Sequence, residues 1–533
     1  MRNVKNPILR GFHPDPSIVR VGENYYVAVS TFEWYPGVAI YCSENLSDWK
    51  FAASPLTEEK IDLRGIDSAC GVWAPNLTYY KGTFYLLYTI VYTNRSRYKD
   101  THNFLITASQ IEGPWSEPVY LNCSGFDPSL FHDANGKKWL INMTIDHRVD
   151  KERFSGIDIQ EYDEKRQKLI GPVYRIFKGT QIGTTEGPNI LKRGEYYYLT
   201  CAEGGTEFGH CVTVARAKSI IGPYEVNPDN PMLSSKAESS YPIQRAGHGQ
   251  LVEDGKGRWY MAHLCSRPVD GYSILGRETA IQNIMWTDSG WFRLQAGGKL
   301  PQLEFQTEEK SVEMPVCTKT GREDFEQEKL PWEFFTLRES AKKNGITVSE
   351  RKGWVRIYGG NSLSSKYKQG LLARRQQDFY CDFTVKMQFC PKRYQHMAGI
   401  VCYYNYDNYY YMRVTKDENL GVCICITSVE NGAIAETECV QLPQDKDIYY
   451  LRAKIRRENL EFFYSVDEEV FHKVGEILDM RILSDEHVDG NGFTGAMLGM
   501  SCQDLQGDGC YADFDWVDYV ESYRNDDQDR AYD

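Results

Sequence analysis

The chain has 533 residues, and its 61 Lys and Arg against 74 Asp and Glu give a net charge of −13. This length allows two to four domains, and the acidic balance argues against a nucleic-acid partner, because phosphates are bound by clusters of Lys and Arg. No run of about 18 apolar residues occurs, which rules out a membrane-spanning helix.

The first residues and the cysteines together predict a cytoplasmic protein. The segment MRNVKNPILRGFHPDPS carries no apolar signal core and no cleavage site, so nothing in it directs the protein outward. The 15 cysteines are odd in number and scattered along the chain. We therefore interpret them as reduced, mostly buried thiols rather than as a disulfide framework.

A repeated pattern runs through the first part of the chain. Each copy has a Pro (Gly in the last copy), then Ser, Asn or Gln, then an aliphatic residue, a short strand, a Gly-containing turn and a second strand with alternating aromatics. The five copies start at Asp15, Ala74, Asp127, Gly187 and His248, with spacings of 59, 53, 60 and 61 residues between the Pro or Gly positions.

Five units of about four antiparallel strands predict a five-bladed β-propeller. An array of β-sandwiches is the alternative, but it does not explain why five units recur at a nearly constant spacing and then stop. The aromatic content of 13% is consistent with an all-β chain, because aromatic residues favour strands.

The period is lost near Leu300, and the later strands alternate in the manner of a half-buried antiparallel sheet. We assign residues 1–305 to the propeller, 306–321 to a linker and 322–533 to a β-sandwich. In the sandwich, Asp513 and Asp515 with Asp324 could form a calcium site, although solvated strand ends explain the same residues.

The topology of a propeller predicts where its chemistry lies. The first strand of each blade lines the central axis, so the residues just before the repeat prolines converge on one face, and the loops between second and third strands return to that face. These positions hold Asp15, Trp73–Ala74, Asp127, Glu186–Gly187 and Gly247–His248. Three carboxylates, a Trp and a His should therefore surround one axial pit.

Asp before Pro often has a structural role, because its side chain can cap a turn. That reading does not explain Glu186, since Glu is a poor local cap. Three repelling carboxylates are costly unless their pKa values separate, and separated pKa values are what acid–base catalysis needs. Hydrolysis of a glycosidic bond requires two such carboxylates.

Aromatic residues near the predicted pit could stack on a sugar ring. Trp73 lies at a blade start, and Phe32 and Trp34 lie in the loop of the first blade. Packing in the core is the alternative for all three in a chain this rich in aromatics.

Six short segments together resemble glycoside hydrolase family 43, and specifically its two-domain β-xylosidases. They are GFHPDPS from Gly11, VWAPN from Val72, GFDPSLF from Gly125, TEGPNI from Thr185, AGHGQ from Ala246 and LGRETAIQ from Leu275. The resemblance covers essentially the whole chain. It implies an all-β fold in which the five-bladed propeller is followed by a concanavalin-like jelly-roll sandwich.

The resemblance also implies roles for the residues of the pit. Asp15 would be the general base that activates water, Glu186 the general acid, and Asp127 a third carboxylate that raises the pKa of the acid and orients it. Such enzymes invert the anomeric centre. The implied substrate-binding residues are Arg277, Trp73, Phe32, His248 and Thr206, with Arg277 beside the third carboxylate.

In some family members the His that matches His248 helps to hold a divalent cation, often calcium, through waters, whereas a lone His is usually a satisfied core residue. We expect no required cofactor, with a possible calcium ion near His248. The resemblance further implies that the loop of Cys502–Cys510 closes one end of the pit, which would restrict cleavage to chain ends.

The predicted activity is the release of xylose from the non-reducing ends of β-1,4-xylo-oligosaccharides. An α-L-arabinofuranosidase, or an enzyme with both activities, is the close alternative, and a non-catalytic carbohydrate-binding propeller is the remote one. The relatives are commonly dimers or tetramers, so we expect a homo-oligomer without nucleic-acid or membrane partners.

Overall fold

The computed structural model describes residues 2–308, 321–490 and 492–521, and its regular structure is almost entirely β-strand. This confirms the predicted all-β fold of a five-bladed propeller and a sandwich. In the described ranges the one helical element is a 3₁₀ turn, Met480–Ile482, and no helix among these residues has the length and apolarity needed to cross a membrane.

The propeller consists of five sheets in which consecutive strands are hydrogen-bonded neighbours. Strand β1 (Arg2–Lys5) precedes them. Blade 1 has β2 (Ser17–Val21), β3 (Asn24–Val29), β5 (Ala39–Ser43) and β6 (Lys50–Ala53), with β4 (Trp34–Tyr35) in the loop after β3; blade 2 has β7 (Gly71–Tyr80), β8 (Thr83–Thr93), β9 (Asp100–Ala108) and β10 (Val119–Asn122); blade 3 has β11 (Ser129–His132), β12 (Lys138–Ile145), β13 (Phe154–Asp163) and β14 (Lys168–Phe177). Blade 4 has β15 (Glu186–Arg193), β16 (Tyr196–Glu203), β17 (Cys211–Ala217) and β18 (Glu225–Val226), with β19 (Leu233–Ser234) also paired to β17; blade 5 has β20 (Gln244–Glu253), β21 (Trp259–Ser266), β22 (Glu278–Trp286) and β23 (Phe292–Leu294).

The first strands of the blades form a closed ring about the axis. Strand β2 contacts β7, β7 contacts β11, β11 contacts β15, β15 contacts β20, and β20 contacts β2. The two ends of the propeller segment are joined by β1, which pairs with β24 (Glu304–Thr307), the strand that follows the last blade. The Asn6 side chain adds hydrogen bonds to the carbonyls of Ile281 and Gln302, each at 2.8 Å. Both ends of the propeller segment therefore meet beside blade 5.

Two antiparallel sheets form the sandwich. Its strands are β25 (Gly321–Glu323), β26 (Thr336–Leu337), β27 (Ile346–Thr347), β28 (Val355–Tyr358), β29 (Leu371–Arg375), β30 (Tyr380–Gln388), β31 (His396–Asn405), β32 (Asn408–Asp417), β33 (Gly421–Glu430), β34 (Ala433–Glu436), β35 (Val440–Gln441), β36 (Ile448–Arg456), β37 (Asn459–Ser465), β38 (His472–Asp479), β39 (Met497–Asp504) and β40 (Tyr511–Glu521). One sheet has the order β27-β28-β40-β30-β36-β37-β38 with β25 on β40, and the other has β29-β39-β31-β32-β33-β34 with β35 on β33.

The sandwich packs against the propeller through a continuous apolar core. Strand β26 pairs with β4 of blade 1, which joins a sandwich element to the loop predicted to face the pit. The same cluster of buried side chains includes Phe12 and Phe32 from the propeller and Leu371 and Tyr403 from the sandwich. Residues 309–320, which make up most of the predicted linker, lie outside the described residues.

The cysteines that the structure describes all carry free thiols. Most are buried, and burial raises the pKa of Cys70 and of Cys211 to about 12. Such thiols are poor nucleophiles at neutral pH.

Candidate active site

The blade starts share one unusual backbone conformation. The five residues that precede the repeat Pro or Gly positions all have a positive φ, between 25° and 56°: Asp15, Ala74, Asp127, Gly187 and His248. For a residue with a Cβ this left-handed conformation costs about 1–2 kcal/mol, and it persists only where the surrounding fold imposes it. The repeat thus turns the chain in the same way at each blade start, above the axis.

The side chains at these turns line one cavity of about 680 Å³. The predicted residues that it brings together are Asp15, Phe32, Trp73, Asp127, Glu186, Thr206, His248 and Arg277. Every loop between second and third strands also contributes, as the topology predicts: Phe32 in blade 1, Lys99 in blade 2, Arg153 in blade 3, Thr206 in blade 4 and Arg277 in blade 5. The cavity is therefore built from all five blades.

Asp15 is 5% exposed, and both of its carboxylate oxygens accept a hydrogen bond. Arg277 Nη1 donates to Oδ1 at 2.9 Å, and Ser30 Oγ donates to Oδ2 at 2.7 Å. His248 Nδ1 lies 3.9 Å from Oδ1. A carboxylate oxygen can accept more than one hydrogen bond, so each oxygen can still bind a water.

Asp127 and Glu186 are buried beside each other on neighbouring blades. The backbone N–H of Gly187 donates to Asp127 Oδ2 at 2.9 Å. Burial raises the pKa of Asp127 to about 7, with Glu186 and Asp15 adding repulsion and the imidazole of His248 acting in the opposite direction. Burial likewise raises the pKa of Glu186 to about 7, and the Lys99 ammonium is the largest opposing influence. A carboxyl group that holds its proton near neutral pH can act as a general acid.

Arg277 differs from the sequence expectation in its partner. The resemblance placed it beside the third carboxylate, Asp127, whereas its guanidinium binds Asp15, and Nη2 donates to the carbonyl oxygen of Phe493 at 2.9 Å. Arg277 remains in the cavity wall and is 3% exposed. It therefore links the predicted general base to the sandwich domain.

The aromatic residues divide between the cavity and the core. Phe32 and Trp73 line the cavity, with ring centroids 5.7 Å apart. Trp34, predicted as a third stacking residue, does not: it is 1% exposed and packs edge-on against Tyr403 of the sandwich at 5.9 Å. For Trp34 the alternative of core packing is therefore confirmed, because β4 turns this side chain into the domain interface.

Three cations of the cavity lining, Lys99, Arg153 and Arg245, were not singled out from the sequence. Lys99 Nζ lies 5.0 Å from the ring centre of Trp73 and 5.1 Å from that of Phe126. Burial lowers the pKa of Lys99 to about 8, and the Arg153 guanidinium adds to this effect. Lys99 and Arg153 both precede a third blade strand, so the loop argument used for Phe32 would have found them.

One wall of the cavity comes from the sandwich. The described residues 484–490, 492 and 493 follow the 3₁₀ turn, and six of them line the cavity: Asp485, Glu486, Val488, Gly490, Gly492 and Phe493. The Phe493 ring lies 5.5 Å from that of Trp73 and 6.2 Å from that of Phe32. We call residues 484–490, 492 and 493 the wall loop.

Buried ion pairs fix the wall loop to blade 5. Arg245 Nη1 donates to Asp485 Oδ2 at 2.9 Å, and Nη2 binds Glu486. Glu486 also accepts from the backbone N–H and the hydroxyl of Ser273, at 2.7 and 2.9 Å. Breaking a buried pair of this kind costs about 3–5 kcal/mol, so the wall loop is firmly held.

The resemblance implied that the loop of Cys502–Cys510 closes one end of the pit, and this expectation is wrong. None of the residues 502–510 lines the cavity. Asp504 instead folds its own loop by accepting N–H groups from Gln506, Gly507, Gly509 and Cys510 at 2.7–3.0 Å. This loop connects β39 to β40 and lines a different hollow of the sandwich with Arg356 and Tyr511. The wall loop, between β38 and β39, is the one directed at the propeller.

The groups around His248 offer few ligands for calcium. Within the described residues, no set of three His, Cys, Asp or Glu donor atoms lying within 4.8 Å of one another includes His248. The ring packs on Gly187, where an added Cβ would lie 3.1 Å from Nε2. Calcium takes six to eight oxygen ligands, so a calcium ion beside His248 would take most of its ligand shell from water, as the resemblance implies.

The suggested calcium site of the sandwich is not formed. Arg351 and Arg356 donate to Asp513 at 2.9 and 2.7 Å, and Lys386 binds Asp515 at 2.6 Å. Cations of the protein therefore occupy the positions that a metal ion would need.

A different donor cluster, His396 with Asp504 and Asp508, lies beside the 504–510 loop. The Lys392 backbone N–H donates to His396 Nδ1 at 3.3 Å, so the imidazole proton is on Nε2. Nε2 lies 2.8 Å from Asp508 Oδ1. The arrangement is that of a buried imidazole facing a carboxylate, with its metal-binding lone pair already used.

Comparison with known proteins gives a consistent result over the whole chain. Residues 4–292 match the model of glycosyl hydrolases family 43, and residues 322–520 match that of the β-xylosidase C-terminal concanavalin A-like domain. A β-xylosidase of Bacillus subtilis (strain 168) is 42% identical over 97% of this chain and 99% of its own length. A xylosidase/arabinosidase of Humicola insolens is 40% identical over 97% of this chain and 98% of its own.

A solved structure has the same architecture. The crystal structure of xylan β-1,4-xylosidase from Bacillus halodurans C-125 is 46% identical to this chain and has a TM-score of 0.95, covering 97% of this chain and 100% of that one. The similarity includes both domains, so the placement of the sandwich on the propeller is common to the two proteins.

Proposed function

The chain belongs to glycosyl hydrolases family 43, and from this premise we propose that it is an exo-acting β-xylosidase which releases xylose from the non-reducing ends of β-1,4-xylo-oligosaccharides. The observation that carries the proposal is the meeting of Asp15, Asp127 and Glu186 in one cavity with aromatic walls. Glycoside hydrolysis uses a protonated and an ionised carboxyl group on opposite sides of the scissile bond.

The reaction follows from the different settings of the carboxyl groups. Glu186, with a pKa of about 7, donates its proton to the glycosidic oxygen as the bond from that oxygen to the anomeric carbon breaks. Asp15, oriented by Arg277 and Ser30, accepts a proton from the water that attacks the anomeric carbon from the other side. The products are xylose with inverted configuration and the shortened chain, and proton exchange with solvent restores both carboxyl groups.

Asp127 has a supporting role in this scheme. Its carboxylate is fixed by the Gly187 N–H, next to the general acid in the chain. Its negative charge, when present, favours the protonated form of a neighbouring carboxyl group. Asp127 thereby helps Glu186 to keep its proton until the substrate is bound.

Exo-action is supported by the wall loop. Because ion pairs hold the wall loop over one side of the cavity, a long chain would have to displace buried charges in order to pass through. A chain end fits without this cost. Phe32 and Trp73 offer rings that can stack on the C–H face of the terminal sugar.

Release of α-L-arabinofuranose is a second candidate activity. It is supported by the relative from Humicola insolens, whose printed name is xylosidase/arabinosidase. Parallel assays with aryl β-D-xyloside and aryl α-L-arabinofuranoside test both activities. We expect the higher kcat/KM on the xyloside; no turnover of either substrate would refute the proposed function, and faster turnover of the arabinofuranoside would reverse the order.

We further propose that hydrolysis needs no metal ion, because Arg277 and Ser30 of the protein already orient the carboxylate of Asp15. Dialysis against a chelator should leave kcat/KM unchanged. Loss of activity that added calcium restores would instead support the cation predicted near His248.

We also propose that the protein is cytoplasmic and that it forms a dimer or tetramer. Light scattering measures the oligomeric state.

A further inference from the structure

His210 lies in the loop between the second and third strands of blade 4 and was not singled out by the sequence. It is 1% exposed and contributes to the cavity wall. Its Nδ1 forms a short contact with the carbonyl oxygen of Gly205. A carbonyl oxygen only accepts hydrogen bonds, so Nδ1 carries the imidazole proton and Nε2 presents a lone pair.

The lone pair on Nε2 has no hydrogen-bond partner among the residues that the structure describes. A buried acceptor left in this state normally costs free energy. His263, on the neighbouring blade, shows the usual arrangement of an equally buried ring: Nδ1 contacts the Leu264 carbonyl at 2.8 Å, and Gln282 Nε2 donates to its Nε2 at 3.0 Å. His210 has the corresponding contact at Nδ1 but lacks a donor to its Nε2.

The position of the His210 ring is fixed by its neighbours. An added Cβ at Gly247 would lie 2.0 Å from His210 Cδ2 and 2.4 Å from Nε2, so the ring rests directly on the Gly247 backbone. This places it beside His248 at the start of blade 5. Asp15, His248 and Arg277 all act electrostatically on the ring, which locates it near the predicted general base.

The imidazole ring of His210 is also uncharged near neutral pH. Burial lowers the pKa of His210 to about 3, with smaller contributions in the same direction from His248 and Arg277, against the opposing effects of the Gly205 hydrogen bond and of Asp15. Nε2 is therefore an acceptor throughout the pH range in which Asp127 and Glu186 titrate. A hydroxyl group is the donor that a sugar can bring to it.

We propose that His210 Nε2 accepts a hydrogen bond from a hydroxyl of the sugar bound in the cavity, which makes His210 a specificity-determining residue. The inference rests on the proposed function, because the donor is a sugar hydroxyl. A site with a fixed, unpaired acceptor rejects an analogue that lacks the donor, since the acceptor then stays buried and unsatisfied. His210 would thus recognise one particular hydroxyl.

The test combines a variant with deoxygenated substrates. In His210→Asn, the side-chain amide can keep the bond to Gly205 while the acceptor at the Nε2 position is lost. We expect a drop of about 10- to 100-fold in kcat/KM on 4-nitrophenyl β-D-xyloside. For the monodeoxy xyloside that lacks the recognised hydroxyl, wild type and variant should react equally. The 2-, 3- and 4-deoxy compounds together identify the position.

The matched control is His263→Asn, which changes an equally buried His whose Nε2 already has a protein partner. It should change kcat/KM by the same factor on the parent and on every deoxy substrate. If His210→Asn behaves in this uniform way, its role is structural or its Nε2 binds a permanent water, and the proposal fails. Wild-type turnover of the parent xyloside separates this failure from failure of the proposed function.

A second measurement covers the case in which the variant does not fold. With the wild type labelled by ¹⁵N-histidine, addition of D-xylose should shift the Nε2 resonance of His210 towards that of a hydrogen-bonded acceptor, and the His263 resonances should not move. An unchanged His210 resonance at saturating xylose would overturn the proposal. His210→Gln, which can return an acceptor oxygen to the Nε2 position, should recover part of the lost kcat/KM.

Discussion

The floor of the cavity and its sandwich wall are built in different ways. The floor repeats one turn five times, with a positive φ at each blade start, and it holds Asp15, Asp127 and Glu186. The wall is a single loop without a repeat, held by the Arg245 ion pairs. Repetition thus fixes where the reacting groups lie, and the unique loop limits which part of a substrate can reach them.

The comparison predicts that substitutions in the floor act on the chemical step and those in the wall act on binding. The largest effect is expected for Glu186→Gln, which removes the proton donor. The value of kcat on xylobiose should fall by about 10³-fold, with a smaller loss on aryl xylosides, whose leaving groups need less protonation. Exposed Glu195 provides the control, since Glu195→Gln should retain full activity. A fall of less than tenfold on xylobiose would refute the acid assignment.

The same variant should be more stable than the wild type in alkali. The folded-state pKa of Glu186 is raised from 4.5 to about 7, so holding the ionised form costs stability that grows as pH rises through this window and is absent below it. Removing the ionisable group should therefore increase the free energy of unfolding by about 3 kcal/mol at pH 8 and leave it unchanged at pH 4. Thermal melts of both proteins at the two pH values measure the difference, and a gain that is equal at both would contradict the pKa assignment.

The wall is tested by Phe493→Ala. Loss of the ring that packs on Phe32 and Trp73 should raise KM and lower kcat/KM by about 10- to 100-fold, as expected for removing a buried aromatic contact, with kcat less affected. Leu505→Ala in the neighbouring loop is the matched control, because that residue lies outside the cavity and is 52% exposed. Equal effects of the two substitutions would remove the distinction between the loops.

The smallest effect is expected for Lys99→Met. Lys99, Arg153 and Arg277 lower the pKa of Glu186, while Asp15 raises it. Removing the ammonium should therefore move the alkaline limb of the kcat/KM profile upward from about 7, at a modest cost in rate. Lys81 is an exposed lysine over the ring of Tyr80 at 5.1 Å, and Lys81→Met should leave the profile unchanged. A downward or absent shift for Lys99→Met would show that this charge does not act on Glu186.

The difference between floor and wall also explains which predictions succeeded. The fold class and the convergence of the predicted residues followed from a repeat whose period is visible in the sequence, because each copy of the turn occupies an equivalent place in a closed ring. The same argument would have placed Lys99, Arg153 and His210 in the cavity, because they lie in loops that return to it.

The sequence did not allow us to predict which loop closes the cavity. The 502–510 and 484–493 segments are both polar, Gly-containing loops that adjoin β39, and local composition does not say which end of the strand faces the propeller. The docking of the sandwich decides this, through the pairing of β26 with β4 and the ion pairs of Arg245. The place of Trp34 was left open for the same reason, because its burial depends on Tyr403, far away in the chain.

The sequence by itself determined the five blades, the order of the acids and their meeting at one axis. In a propeller, equivalent positions of the repeat occupy equivalent places around the axis. Only the tertiary structure decided the electrostatic roles within that pit. Arg277 binds Asp15, while Asp127 and Glu186 have pKa values of about 7 because of burial and nearby charge. Those quantities depend on which atoms of distant segments exclude water, and spacing along the chain does not encode them.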